Sequence, residues 1–166
     1  MTGKAAPSGR LPLALGQADE PHACPFGHGL SYGALRQTDL TLEFGSDRVS
    51  VQVKLHNPHP HAVIDIIQLY VRTPGASARD LRAFQHVEVP AGTTLDIRFE
   101  LGVEELGQAD GLAPQRVAAG RHAIFVGRDA INGQRGEIDI PVDLARAMSV
   151  PAALRDAPGS GASRSA

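Results

Sequence analysis

The stretch RVSVQVKL, residues 48–55, alternates without a fault: Val49, Val51, Val53 and Leu55 interleave with Arg48, Ser50, Gln52 and Lys54. Successive side chains of a β-strand point to opposite faces, so this spacing predicts a strand with one buried and one solvated face. Just upstream, Leu40, Leu42 and Phe44 alternate with Asp39, Thr41 and Glu43, and Gly45-Ser46-Asp47 separates the two runs. A short glycine-bearing loop between two alternating runs predicts a β-hairpin.

The same reading extends along the chain. HAVIDIIQLYVRT (61–73) is almost continuously apolar, as expected of a central strand covered on both faces for part of its length. LRAFQHVEV (81–89) is a strand whose phase changes midway, and it ends at Pro90-Ala91-Gly92, a turn sequence. TTLDIRFEL (93–101) alternates again, with Leu95, Ile97, Phe99 and Leu101 inward. GVEELGQA (102–109) is long enough for a single helical turn across the end of the domain, and GRHAIFVG (120–127) and GEIDIPV (136–142) supply two more strands. About seven strands and no long helix predict an all-β, immunoglobulin- or fibronectin-III-like antiparallel β-sandwich. It is preceded by an irregular lead-in over 1–33, occupies 34–142, and is followed by a disordered tail over 143–166.

Composition excludes several functions. The 16 basic and 18 acidic residues are scattered, so no nucleic-acid footprint is expected. No run approaches the ~20 apolar residues of a membrane span, and residues 1–20 hold a lone Lys4 and no apolar core of a signal peptide. Localisation stays open. Cys24 is the single cysteine, which excludes an internal disulfide and reads as a small buried hydrophobe even with His22 and His28 close by.

Four groupings could carry chemistry. CPFGHGLSY (24–32) offers His28 and Ser31 as reactive groups, but GHGLSYG precedes no helix, lacks a phosphate-loop lysine, and no G-x-S-x-G elbow exists. His56, His59 and His61 fall within six residues and are the best metal candidate. Pro58 and Pro60 hold that stretch extended between two strands with no acidic or thiol ligand inside it, so a solvated turn is the favoured reading and no metal is expected. Asp39, Glu43, Asp96, Glu100 and Asp139 occupy polar positions of alternating strands, and Glu104-Glu105 a solvated turn, so no catalytic carboxylate pair is assigned. Phe44, Phe99 and Phe125 are expected to point inward, and with no tryptophan in the chain direct sugar binding is not expected. No cofactor is expected.

With the fold in place, PSGRLPLAL, PFGHGLSYGAL, VSVQVKLHN, IIQLYVRTP, RDLRAFQHVEVPAGTTLDIRFEL and VAAGRHAIFVGRDA resemble, in this order, the C-terminal end of glycoside hydrolase family 3, the β-glucosidases and β-xylosidases. In that family a barrel carries the nucleophilic aspartate, a following α/β domain commonly carries the acid/base glutamate, and a fibronectin-III-like domain comes last. The resemblance implies that residues 1–33 are a remnant of the α/β domain plus a connector made of Pro25, Phe26, Gly27, His28, Gly29, Leu30, Ser31 and Tyr32. It implies no catalytic residue here: a retaining glycosidase needs two carboxyl groups about 5–5.5 Å apart, and no pair in this chain matches the family's motifs. The expected role is a non-catalytic domain that braces the catalytic domains. The alternative is a free-standing immunoglobulin-like module that docks on a protein. One departure stands out: the family often has Asn-Thr-Gly and a Gly-x-Glu step where this chain reads HNPHPHAVID (56–65).

Overall fold

A computed structural model describes residues 33–108 and 116–149. Strand β1 (Arg36–Phe44) pairs antiparallel with β2 (Val49–His56), and β2 pairs with β5 (Thr94–Leu101), giving a three-stranded sheet in the order β1-β2-β5. Strands β3 (Val63–Arg72), β4 (Asp80–Val89), β8 (Gly120–Gly127) and β9 (Gly133–Ile140) form a four-stranded antiparallel sheet in the order β4-β3-β8-β9. A two-residue ladder joins β6 (Gly107–Gln108) to β7 (Arg116–Val117). Helix α1 (Val103–Leu106) is the expected single turn, closed where the Gly102 N–H donates to Glu105 Oε2 at 2.8 Å.

The two larger sheets share one hydrophobic core. Val49, Val51, Val53 and Leu55 of β2 are buried as the alternation requires, and they meet Ile97, Phe99 and Leu101 of β5 across an unbroken register. From the other sheet, Ile67, Leu69, Val71, Ile124 and Val126 join the same cluster. Strand β3 lies between β4 and β8, and Ile67 to Val71 are buried on both faces, as the continuous apolar run predicted. The phase change expected in residues 81–89 is a bulge, where Leu69 pairs with Ala83 but Tyr70 with Leu81. At the edge where β1 approaches β9, Gly136 makes room for a side chain: a Cβ there would lie 2.8 Å from Leu42 Cδ1.

Three expectations change. Residues 143–149, placed in a disordered tail, belong with Val142, read as the end of a strand, to helix α2 (Val142–Ser149), which buries Ala145 and Met148 in the core. Ser149 Oγ donates to Ala145 O at 2.7 Å and accepts from Val117 N–H at 2.9 Å, which fastens the helix to β7. The i, i+3 pair of a helix this short is too brief a pattern to separate from a polar tail. Phe44 pairs with Val49 and so shares its side of the sheet, yet it is 50% exposed because it ends an edge strand at the turn. Phe125 is buried, but on the outer side of its sheet: Ile124 and Val126 face the core, so the pleat turns Phe125 away from it.

Candidate functional site

The connector residues 25–32, and with them His22, Cys24, His28 and Ser31, lie outside the described residues. Description begins at Gly33, which packs so tightly that a Cβ would meet His59 Cδ2 and Val63 Cγ2 at 2.8 Å. The Ala34 N–H then donates to His59 Nε2 at 3.2 Å. The entry point of the domain is therefore the histidine-bearing loop between β2 and β3.

That loop is organised by Asn57, which the sequence reading passed over in favour of its histidines. Asn57 is fully buried. Its Nδ2 lies 2.8 Å from Val89 O, 2.9 Å from His61 O and 3.1 Å from Pro90 O, and its Oδ1 accepts from His59 N–H at 2.9 Å. The Asn57 N–H donates to Thr93 O at 2.9 Å. One amide thus ties the β2–β3 loop to the β4–β5 turn. An asparagine before proline at a strand end was the available signal, since its side chain readily bonds backbone two residues on.

The three histidines do not converge on a metal. His56 Nδ1 is 3.2 Å from Thr94 Oγ1, while His59 and His61 stack with ring centroids 5.7 Å apart. Among the described residues no group of three or more histidine, cysteine, aspartate or glutamate side chains is placed to hold a metal ion. The carboxylates are similarly dispersed: Asp39 pairs with Lys54 at 3.2 Å and Glu100 with Arg98, while Glu43, Asp96, Glu104 and Asp139 are exposed and Glu105 caps α1.

Two acidic residues that the alternation did not single out are buried. Asp65 accepts from Arg128 Nε at 3.0 Å and from Ile66 N–H at 2.8 Å, so β3 is pinned to the β8–β9 loop across 63 positions. Asp129 Oδ1 accepts from the N–H groups of Ile131 and Asn132 at 2.8 and 2.7 Å, which shapes that loop. His122 is also fully buried, and burial lowers its pKa below 6.5 against the opposing effects of the Gly120 carbonyl and the Asp139 charge.

On the outer side of the four-stranded sheet a cleft of about 480 Å³ is lined by Arg72, Arg79, Arg135, Ser77 and Phe125. The Arg79 guanidinium sits 4.6 Å above the Phe125 ring, and Phe125 meets Tyr70 edge to face at 6.1 Å. Tyr70 in turn donates to Gln68 Oε1. The aromatic floor is therefore held from below, and three guanidinium groups surround it.

Residues 65–130 match the family model of the fibronectin type III-like domain. A β-glucosidase of Rhizobium radiobacter is 32% identical over 130 residues, which cover 72% of this chain and 16% of that protein. Among solved structures, a β-glucosidase from Erythrobacter marinus superposes with a TM-score of 0.64 at 34% identity, over 70% of this chain and 17% of that one. β-Glucosidase 3B from Thermotoga neapolitana, solved with glucose, gives 0.62 at 26% identity, over 70% and 17%. The chain thus spans about a sixth of the length of these relatives, 16–17%.

Proposed function

We infer, since this chain carries the fibronectin type III-like domain found at the C-terminal end of β-glucosidases of glycoside hydrolase family 3, that it serves as the non-catalytic domain of such an enzyme and braces its catalytic domains. The observation that carries this reading is the coverage: similarity to whole β-glucosidases falls on 16–17% of their length, in an antiparallel β-domain. The described side chains support it. The histidines, Asn57, Asp65 and Asp129 are engaged in holding loops to strands.

Two measurements test the reading. The purified chain is expected to show no turnover of aryl β-glucosides or β-xylosides; turnover that disappears on substituting one of its carboxylates would overturn it. A chimera in which this chain replaces the matching segment of the Rhizobium radiobacter enzyme is expected to hydrolyse aryl β-glucosides and to melt in one transition. A chimera in which the graft melts independently of the rest refutes a bracing role.

A further inference from the structure

The chain holds two asparagines, and each organises the loop it sits in. An asparagine can lose its amide without an enzyme, when the backbone nitrogen of the next residue attacks its side-chain carbon. Asn57 is followed by Pro58, whose nitrogen carries no hydrogen and cannot close that ring. Asn132 is followed by Gly133, which puts no side chain in the way of the attack. The fold requires glycine at 133: a Cβ there would overlap Val126 O and Gly127 Cα, where β8 and β9 meet. Asn132 is itself exposed, so water reaches it.

The loop works against this reaction. Asp129, only 4% exposed, accepts from the Asn132 N–H at 2.7 Å, and the Asn132 Nδ2 donates to its Oδ2 at 2.8 Å and lies 3.1 Å from its Oδ1. One carboxylate thus holds the amide on the side of its own N–H rather than against the Gly133 nitrogen. The Asn132 carbonyl accepts the Arg128 N–H at 3.0 Å, which opposes rotation of the peptide unit that carries that nitrogen. A bond to a charged acceptor is among the stronger kinds, and it must open before the ring can close.

We propose that Asn132 is a site of spontaneous deamidation, gated by the Asp129 carboxylate, and that its conversion loosens the β8–β9 loop. The reaction needs only water. The Gly133 nitrogen loses its proton and bonds to Asn132 Cγ, the Cγ–Nδ2 bond breaks, and Nδ2 leaves as ammonia. Water then opens the cyclic imide at either carbonyl, giving aspartate or isoaspartate. Aspartate sets an oxygen where Nδ2 donated, so a second carboxylate faces buried Asp129. Isoaspartate carries the main chain through Cβ and lengthens it just where β9 begins. Either product disturbs the loop beside Arg128, whose guanidinium holds buried Asp65. This chemistry does not depend on the bracing role.

Peptide mapping tests the site. The purified chain is incubated near pH 8 in buffer and in denaturing urea, digested at intervals, and its peptides are followed by mass spectrometry. Replacement of NH2 by OH is expected in the peptide carrying Asn132 and not in the one carrying Asn57, with isoaspartate detected by a protein isoaspartyl methyltransferase. The product is expected to form about 10- to 100-fold more slowly in buffer than in urea, because the bond to Asp129 must open first. Asp129→Ala is expected to raise the rate in buffer toward the urea value. Circular dichroism shows whether that variant folds, and the wild-type comparison decides the matter if it does not. Asn132→Asp copies one product and is expected to melt at a lower temperature than wild type. No product in buffer after the urea sample has reacted to completion overturns the site. Equal rates in buffer and urea, or a folded Asp129→Ala that reacts no faster than wild type, overturn the gate. Wild-type melting of Asn132→Asp overturns the effect on the loop.

Discussion

Asn57 offers the sharpest test of how this domain is held together. Replacing it by alanine removes the amide whose two protons are shared among the carbonyls of Val89, His61 and Pro90, and the oxygen that receives the His59 N–H. The Val89 bond is buried, so that carbonyl loses its partner where water does not reach; the others lie nearer the surface and re-hydrate in part. At about 0.5–1.5 kcal/mol for each effective bond, and more for a stranded buried carbonyl, the loss comes to about 2–4 kcal/mol. For a domain slightly above 100 residues this lowers the melting temperature by roughly 8–16 °C. Asn57→Asp separates the hydrogen-bonding account from one based on volume. A carboxylate at this place sets negative oxygen against three carbonyl oxygens, which raises its folded-state pKa above the ordinary aspartate value. The variant's stability is then expected to be highest near pH 4 and to fall as pH rises through the raised pKa, whereas Asn57→Ala acquires no such dependence. Urea unfolding followed by circular dichroism across pH measures both. A loss below about 0.5 kcal/mol for Asn57→Ala, the scale of ordinary surface changes, or Asn57→Asp and Asn57→Ala behaving alike at every pH, refutes the reasoning.

The remaining predictions concern the other buried groups. His122 is held neutral by burial, with its pKa below the unfolded value of 6.5. Its contribution is therefore complete above pH 6.5 and is lost as pH falls from there toward the lowered folded pKa, at up to about 1.4 kcal/mol per pH unit; His122→Phe is expected to flatten that part of the stability–pH curve. Arg128→Met removes the charged partner of buried Asp65 and is expected to cost about 2–3 kcal/mol, with Asp65→Asn in the same chain recovering part of it in a double-mutant cycle. Met148→Ala deprives α2 of its deepest anchor; an expected loss of about 2–5 kcal/mol, with faster hydrogen exchange in α2, would be contradicted by a wild-type melting curve.

The sequence by itself determined the class of fold. Alternation is a local property, since the pleat sets it residue by residue, so Val49 to Leu55 and Leu95 to Leu101 announced their faces without knowledge of any partner. The ordered motifs likewise pointed to the end of a family 3 β-glucosidase, and the fibronectin type III-like match agrees. Tertiary structure decided what depends on distant neighbours. Asn57 draws its hydrogen-bond acceptors from positions 32 and 33 residues away, and Asp65 finds its arginine 63 residues on, so neither bond leaves a periodic trace in the chain. Phe44 reads as an inward-facing residue in sequence, yet it is half exposed, because burial requires an opposing surface as well as an apolar side chain. The same holds for α2: Ala145 and Met148 become core residues only when the sheets leave a place for them.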